Sequence, residues 1–268
     1  MGAMDFLGRP FRWLDSVGRN RATLTGGPNF AYELCNRRIS DEELAALDLS
    51  SLRVAFNGAE PIRSTTLTRF VDRFAPAGLR REALFPCYGL AEQTLLVSGG
   101  PHGSGASTLA VATAPLESGR IESVEADRLD ARVLVGCGQP APGVEVVVVD
   151  PDTRMRVAAD QVGELWVRAS SAGEGYHARP DTTAEVFGAR IAVAGEGPVL
   201  RTGDLGFLHG GQLYVSGRRK DLLIQRGRNL FPQDLELTAE SAHPGLRSGC
   251  RRPTKPRRRS APSVTRRP

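Results

Sequence analysis

The sequence predicts an α/β protein of two unlike parts, a layered α/β segment and a small β-rich segment. Residues 53–90 read strand, helix, strand as RVAFN, PIRSTTLTRFVDRFAPAG and EALFPCYGL, the order of a layered α/β domain. After residue 98 the texture changes to short apolar runs, VEVVVVD, GELWVRA, VLRTGDLGFL and QLYVSGR. Gly, Pro and Asp turns separate them, as in a small antiparallel sheet or barrel. The chain has 268 residues, 40% of them hydrophobic and 6% aromatic, enough for one large globular domain or one domain with part of another.

Taken in order, residues 9–20 (RPFRWLDSVGRN) form a short amphipathic helix, TGGPNF a turn and AYELCNRRI a second helix. DEELAALDLSSL is a helix with a polar end, and RVAFN a strand stopped by GAEP. In the following helix Leu67, Phe70, Val71 and Phe74 recur at i, i+3, i+4 and i+7, with Pro61 at the first helical position. EALFPCYGL is a strand ending in a loop, SGGPHGSGAS is a flexible loop, and residues 107–140 mix short strands with turns. QDLELTAESAH closes the patterned region as a helix.

No apolar run reaches the length of a membrane span, and MGAMDFLGRPFRWLD lacks the apolar core of a signal peptide. Cys35, Cys87, Cys137 and Cys250 are widely spaced with no CxxC pair, and the four histidines are scattered. The expectation is reduced thiols in a cytoplasmic protein, with neither disulfide framework nor zinc site. The net charge is +5, but residues 251–268 hold eight cations and no acid, so residues 1–250 carry −3. That tail has no apolar periodicity and reads as disordered. With no aromatic residue to stack on bases, a solvated arm without a specific nucleic-acid partner is expected.

Four stretches carry chemistry. FNGAEP (Phe56–Pro61) ends a strand with a turn that exposes backbone groups where ligands of open α/β sheets sit. In FPCYGLAEQT, Tyr88 offers a flat face, Gly89 permits close backbone approach, and Glu92 suits a hard cation such as Mg²⁺. LRTGDLG places Asp204 in a turn between strands, where a carboxylate can accept both ribose hydroxyls. In SGRRKD, Arg218 can donate to ribose or phosphate oxygens, and Lys220 and Asp221 lie in a polar bend suited to an interdomain hinge. Singly, each is weak evidence beside its plainer reading as an ordinary turn, a surface glutamate, a turn aspartate or a charged hairpin corner, and for FNGAEP and Glu92 the plainer reading is the commoner one.

As a series, GGPNFAYELC, LRVAFNGAEP, FPCYGLAEQTLLVSGG, RTGDLGFL and SGRRKDLLIQRGRNLFPQDLE resemble the adenylate-forming acyl-CoA synthetase superfamily, and most closely its fatty acyl-AMP ligase branch, from about Phe6 to about Gly249. The resemblance implies part of the AMP-binding N-terminal domain, an α/β layer plus a barrel-like subdomain, with the start of a C-terminal α+β domain. The implied segments are 1–98 (α/β), 99–217 (β-rich, with a ligase-type insertion at about 113–140), 218–250 (hinge and partial C-terminal domain) and 251–268 (basic tail). It implies that Asn29 and Phe30 line the acyl or carboxylate side of the pocket. Gly58, Ala59 and Glu60 would frame the adenine, with Tyr88 stacked on it beside Gly89. Glu92 would bind Mg²⁺, Asp204 would hold the ribose with Arg218 nearby, and Lys220 would be the hinge.

The implied reaction activates a fatty acid with ATP to an acyl-adenylate, for an acyl carrier protein or a polyketide synthase carrier domain. The insertion would restrain the hinge so that CoA is not used. The family's phosphate loop and catalytic lysine have no counterpart in the 268 residues, so this chain alone is expected to be inactive as a ligase, a product truncated at both ends. An acyl-CoA ligase fragment and a non-catalytic nucleotide-binding or interaction protein with a basic arm are the alternatives.

Overall fold

The computed structural model describes residues 1–192, 197–225 and 228–242. The basic tail and Gly227 lie outside these residues. Helices α1 (Ala3–Gly8) and α2 (Phe11–Arg19) precede strand β1 (Leu24–Gly27), so the stretch expected to be a turn is partly strand. The reason is close approach: a Cβ on Gly26 would lie 2.3 Å from the carbonyl oxygen and ring of Phe56. Gly26 therefore lets β1 lie tightly against the next strand.

Helix α3 (Asn29–Arg38) follows, then the short α4 (Asp41–Ala45). Ser40 and Glu43 form a capping box that sets the start of α4, and the expected longer helix ends at Ala45, after which Leu47, Leu49 and Leu52 are buried in the core. Strand β2 (Val54–Asn57) leads to α5 (Ser64–Phe74), which buries Leu67, Phe70, Val71 and Phe74 as the periodicity requires. Each such side chain contributes about 1.5–3 kcal/mol on burial. Pro61 is not the first helical residue. Arg63 is extended, its amide held by Asn29 Oδ1 at 3.0 Å, and α5 begins at Ser64. Phe6, Trp13, Tyr32, Phe70 and Phe74 contact one another in sequence across α1, α2, α3 and α5, forming an aromatic seam over the sheet.

Strands β3 (Leu84–Leu90) and β4 (Leu95–Gly99) come next, then β5 (Thr108–Ala112), the short helix α6 (Thr113–Glu117), β6 (Ala131–Val135) and β7 (Gln139–Pro140). The five-stranded sheet has the order β1-β2-β3-β4-β7, parallel over β1–β3 and antiparallel beyond. The expected loop within residues 98–107 and the mixed character of 107–140 match this layout, with α6 an element the sequence reading missed.

The β-rich part is an antiparallel sheet of β8 (Glu145–Val149), β9 (Gly163–Arg168), β10 (Leu200–His209) and β11 (Gln212–Arg218), in the order β11-β10-β9-β8, with helix α7 (Pro180–Phe187) inserted between β9 and β10. Beyond it lie β12 (Leu223–Gln225), β13 (Arg228–Leu230) and α8 (Pro232–Ala242). One core lies between the helices and the parallel strands. A second, with Tyr88, Val97, Cys137, Leu165 and Leu213, joins β3–β4 to the antiparallel sheet. A third packs Leu116, Phe207 and Tyr214 around Phe231. The architecture is mixed α/β, as the sequence predicts, and Tyr88, Asp204 and Arg218 meet where the two sheets join.

Candidate functional site

Strands β1, β2 and β3 run parallel, so their carboxyl ends lie side by side. Asn29 and Phe30 follow β1, Gly58–Glu60 follow β2, and Tyr88 and Gly89 sit near the end of β3. The sequence folds this way because its Gly and Pro residues fall at strand ends while the apolar runs pair. This is the position in which open α/β sheets bind ligands.

The centre of the site is Asp204, 6% exposed. Tyr88 donates its hydroxyl to Asp204 Oδ2 at 2.7 Å, and Arg218 donates Nε–H to Oδ1 at 2.7 Å. Tyr88 is 8% exposed. Burial, then the charge of Asp204, push its phenol well above the ordinary range. The Arg218 guanidinium is held higher still by its hydrogen bond to Asp204.

Asp204 was expected in a turn between strands; it lies instead within β10, at a bulge. Between Arg201 and Leu205 the pairing to β9 slips, so that Thr202, Gly203 and Asp204 stand opposite Leu165 alone. Gly203 adopts φ +72, which glycine takes without strain. Side chains replace the ladder bonds lost here: Thr202 Oγ1 donates to the Leu165 carbonyl at 2.7 Å and accepts from the Asp204 amide at 3.0 Å. The Gly203 amide donates to Glu164 Oε1 at 3.3 Å. Glu164, 1% exposed, also accepts from Arg201 Nε and Nη2 at 3.3 and 2.9 Å. Arg201 in turn lies over the Trp166 ring at 5.3 Å. Sequence reasoning missed Glu164, Arg201 and Thr202; the one available signal was an acid inside the otherwise apolar strand GELWVR.

A second group joins the β1 and β2 ends. The Phe30 amide donates to Glu60 Oε1 at 2.5 Å, so Glu60 caps α3, whose own N-cap Pro28 offers no side-chain acceptor. Partial burial pushes the Glu60 carboxyl up, while the Phe30 amide and the Arg63 charge oppose the shift. Asn29 Oδ1 accepts from the Arg63 amide. Gly58 packs on Cys87, the neighbour of Tyr88, and Ala59 has a left-handed φ of 69°. Asn57 beside it is 1% exposed, and neither of its side-chain polar atoms has a protein partner. The cradle therefore has polar capacity to spare.

Glu92 forms a third group. Its Oε1 accepts from the Tyr176 hydroxyl at 2.6 Å, and its backbone carbonyl accepts from the Gly173 amide at 2.8 Å. Tyr176, absent from the sequence reading, packs edge-on against Phe187 and has its phenol pushed to about 12 by burial and by Glu92. Gly89 is where the chain must pass closest to itself: a Cβ there would lie 1.7 Å from the Leu95 carbonyl oxygen. Lys220 is exposed in the single 3-10 turn Arg219–Asp221. Thus Tyr88, Asp204 and Arg218 touch, as do Phe30 and Glu60. No described hydrogen bond or ion pair joins Glu92 or Lys220 to the Asp204 cluster.

The donor set fits a nucleoside. A carboxylate has about four lone-pair positions; Tyr88 and Arg218 occupy two at Asp204, leaving room for two adjacent hydroxyls. Among the described residues no group of three His, Cys, Asp or Glu could hold a metal ion. The lone Glu92 carboxylate fits only a cation held mainly by phosphates and water, as Mg²⁺ is. No helix among the described residues is long and apolar enough to cross a membrane.

Fold and site together define a mixed α/β protein with a buried, carboxylate-centred polar cluster where its two sheets meet. The chain belongs to the AMP-binding enzyme family, whose model matches residues 3–177. It is 50% identical over 250 residues to the medium-chain-fatty-acid acyl-carrier-protein ligase JamA of Moorena producens, covering 92% of this chain and 42% of JamA. A structure from a study of fatty acyl-adenylate ligases from E. coli and L. pneumophila superposes with a TM-score of 0.83 at 39% identity, covering 92% of this chain and 43% of that one. A fatty acyl-adenylate ligase from L. pneumophila, solved with acyl adenylate and pyrophosphate, gives 0.76 at 43% identity, covering 81% and 38%. The chain thus spans about two fifths of the length of these relatives.

Proposed function

We propose that this chain supplies the nucleoside-binding face of an acid–AMP ligase, one that activates a fatty acid with ATP and passes the acyl group to an acyl carrier protein. The observation that carries this reading is the Tyr88–Asp204–Arg218 cluster, two of whose members belong to one sheet system while Tyr88 belongs to the other. Asp204 holds the ribose hydroxyls, and Arg218 orients that carboxylate through its Nε–H bond to Oδ1. Tyr88 closes the cradle with Gly58, Ala59, Glu60 and Gly89. Asn29 and Phe30 lie on the acyl side, and Phe30 is 47% exposed and free to meet an alkyl chain. Glu92 would hold Mg²⁺, which when bound offsets charge on the phosphate oxygens.

The segment assignment is part of the proposal. Residues 1–98 form the α/β part and 99–217 the β-rich part, with the insertion at about 113–140. Residues 218–250 form the hinge with part of a second domain. Glu117 in the insertion is ion-paired with Arg228 beyond the hinge, and Phe231 packs with Leu116. Arg219 pairs with Asp152 at 2.8 Å. A hinge so tied favours a carrier protein or a polyketide synthase carrier domain over CoA as acceptor. Cys35, Cys87 and Cys137 are all free, which supports a reducing, cytoplasmic setting.

The test is calorimetric titration of the 268-residue chain with a non-hydrolysable fatty acyl-sulfamoyl adenosine. Saturable binding that weakens at least tenfold in Asp204→Ala is expected. Absence of binding to the wild-type chain, or equal binding by both proteins, overturns the assignment.

A further inference from the structure

The opposite end of the parallel strands carries a second polar cleft that the nucleotide site does not use. Its volume is about 400 Å³, and its lining includes Arg21, Thr23, Ser50, Ser51, Arg53 and Arg80. Thr23 directly precedes β1, Arg53 directly precedes β2, and Arg80 lies four residues before β3. The cleft therefore sits at the amino ends of the strands whose carboxyl ends carry Gly58 and Tyr88. At about 3.3 Å per residue, the strands separate the two.

We propose that this cleft is a binding site for a phosphate dianion, carried by a small phosphorylated molecule or by inorganic pyrophosphate. Three guanidiniums line one cleft, and none forms an ion pair with a described residue. Arginines outside ion pairs are the donors that match phosphate in two-pronged fashion. Asp48 lies close enough to Arg21 for their charges to interact, and its Oδ1 is engaged by the Ser50 amide and hydroxyl at 2.9 and 2.6 Å. Ser51 spends its hydroxyl proton on the Ala22 carbonyl at 3.0 Å.

Backbone geometry points the same way. Arg21 has φ 48, a left-handed conformation that Gly or Asn adopts more readily. The strained position nonetheless carries an arginine that faces the cleft. Gly78, with φ +87, brings its turn against Ser50, where a Cβ would be 3.1 Å away, and so sets the floor of the cleft.

The thermal midpoint of the full chain would be followed at low ionic strength against inorganic phosphate, pyrophosphate and glycerol 3-phosphate, with sodium chloride at matched ionic strength as control. The expected result is a saturable rise with at least one phosphate probe, and the probe that binds tightest identifies the source of the dianion. The apparent affinity should fall at least tenfold in Arg53→Gln/Arg80→Gln and be partly kept in Arg53→Lys. Asp204→Ala should leave it unchanged, which separates this cleft from the nucleotide site. Circular dichroism checks that the arginine variants, altered only at exposed positions, keep the fold. A rise no greater than that with chloride, an equal rise in Arg53→Gln/Arg80→Gln, or loss of the rise in Asp204→Ala overturns the proposal.

Discussion

Asp204 and Arg218 stand directly opposite one another on β10 and β11, joined by a 2.7 Å bond from Nε–H to Oδ1. The next residues after Arg218 form the 3-10 turn with Lys220. The carboxylate proposed to hold ribose is therefore one strand pair away from the proposed hinge. Asp204 is thus in contact with the residue that immediately precedes the proposed hinge.

Tyr88→Phe leaves Asp204 Oδ2 without its donor in a buried setting. Hydrogen bonds to charged groups contribute about 1.5–3 kcal/mol, so a loss of that order in urea unfolding is expected. A Phe variant as stable as the wild type would show that the hydroxyl contributes nothing to the cluster.

Glu164→Ala removes one partner of a pair whose side chains are 2% and 13% exposed. Breaking such a pair costs about 3–5 kcal/mol, and it frees the Gly203 amide as well. The expected outcome is a lower unfolding midpoint together with weaker nucleotide binding, because the bulge that aims Asp204 loses its anchor. Unchanged binding in a folded Glu164→Ala protein would rule out that positioning role.

Alkaline pH should destabilise the fold. Burial pushes the Cys35 and Cys137 thiols to about 12, against about 8.5 in an unfolded chain. A raised value in the folded state means the stabilisation is complete below about 8.5 and is lost as pH rises through about 12. Within that window each thiol contributes a slope of about 1.4 kcal/mol per pH unit. Urea midpoints between pH 8 and 10 should fall, and Cys35→Ala/Cys137→Ala should flatten the fall. An identical slope in the double variant would assign the effect elsewhere.

Arg228→Gln cuts the tie between Glu117 and β13. Amide exchange across Leu223–Leu230 should quicken and trypsin should cleave at Lys220 sooner, while β8–β11 stay protected. If exchange and cleavage match the wild type, the insertion does not restrain the hinge.

Much of this was legible in the sequence because local signals agreed with tertiary ones. The four apolar positions of α5 repeat at helical spacing and all are buried. The strands VEVVVVD, GELWVRA and QLYVSGR were bounded by turn residues and formed where expected. What failed depended on partners distant in sequence. Thr25–Gly27 looked like a turn because a Gly pair usually signals one, yet Gly26 is there to admit Phe56, thirty residues on. The start of α5 shifted because Asn29 captures the Arg63 amide. Asp204 was legible as a site residue, but the bulge that holds it depends on Glu164 and Leu165, whose pairing register no local pattern encodes. Tyr176 gave no signal, since its role exists only once its loop lies against Glu92.

The central claim is that Asp204 accepts ribose hydroxyls, and comparing AMP with 2′-deoxy-AMP on wild-type and Asp204→Ala chains tests it most directly. Wild type should prefer AMP by about tenfold, equivalent to about 1.4 kcal/mol, and Asp204→Ala should bind both nucleotides equally weakly. The same preference in both proteins would contradict the account, because the hydroxyl would then be read by some other group.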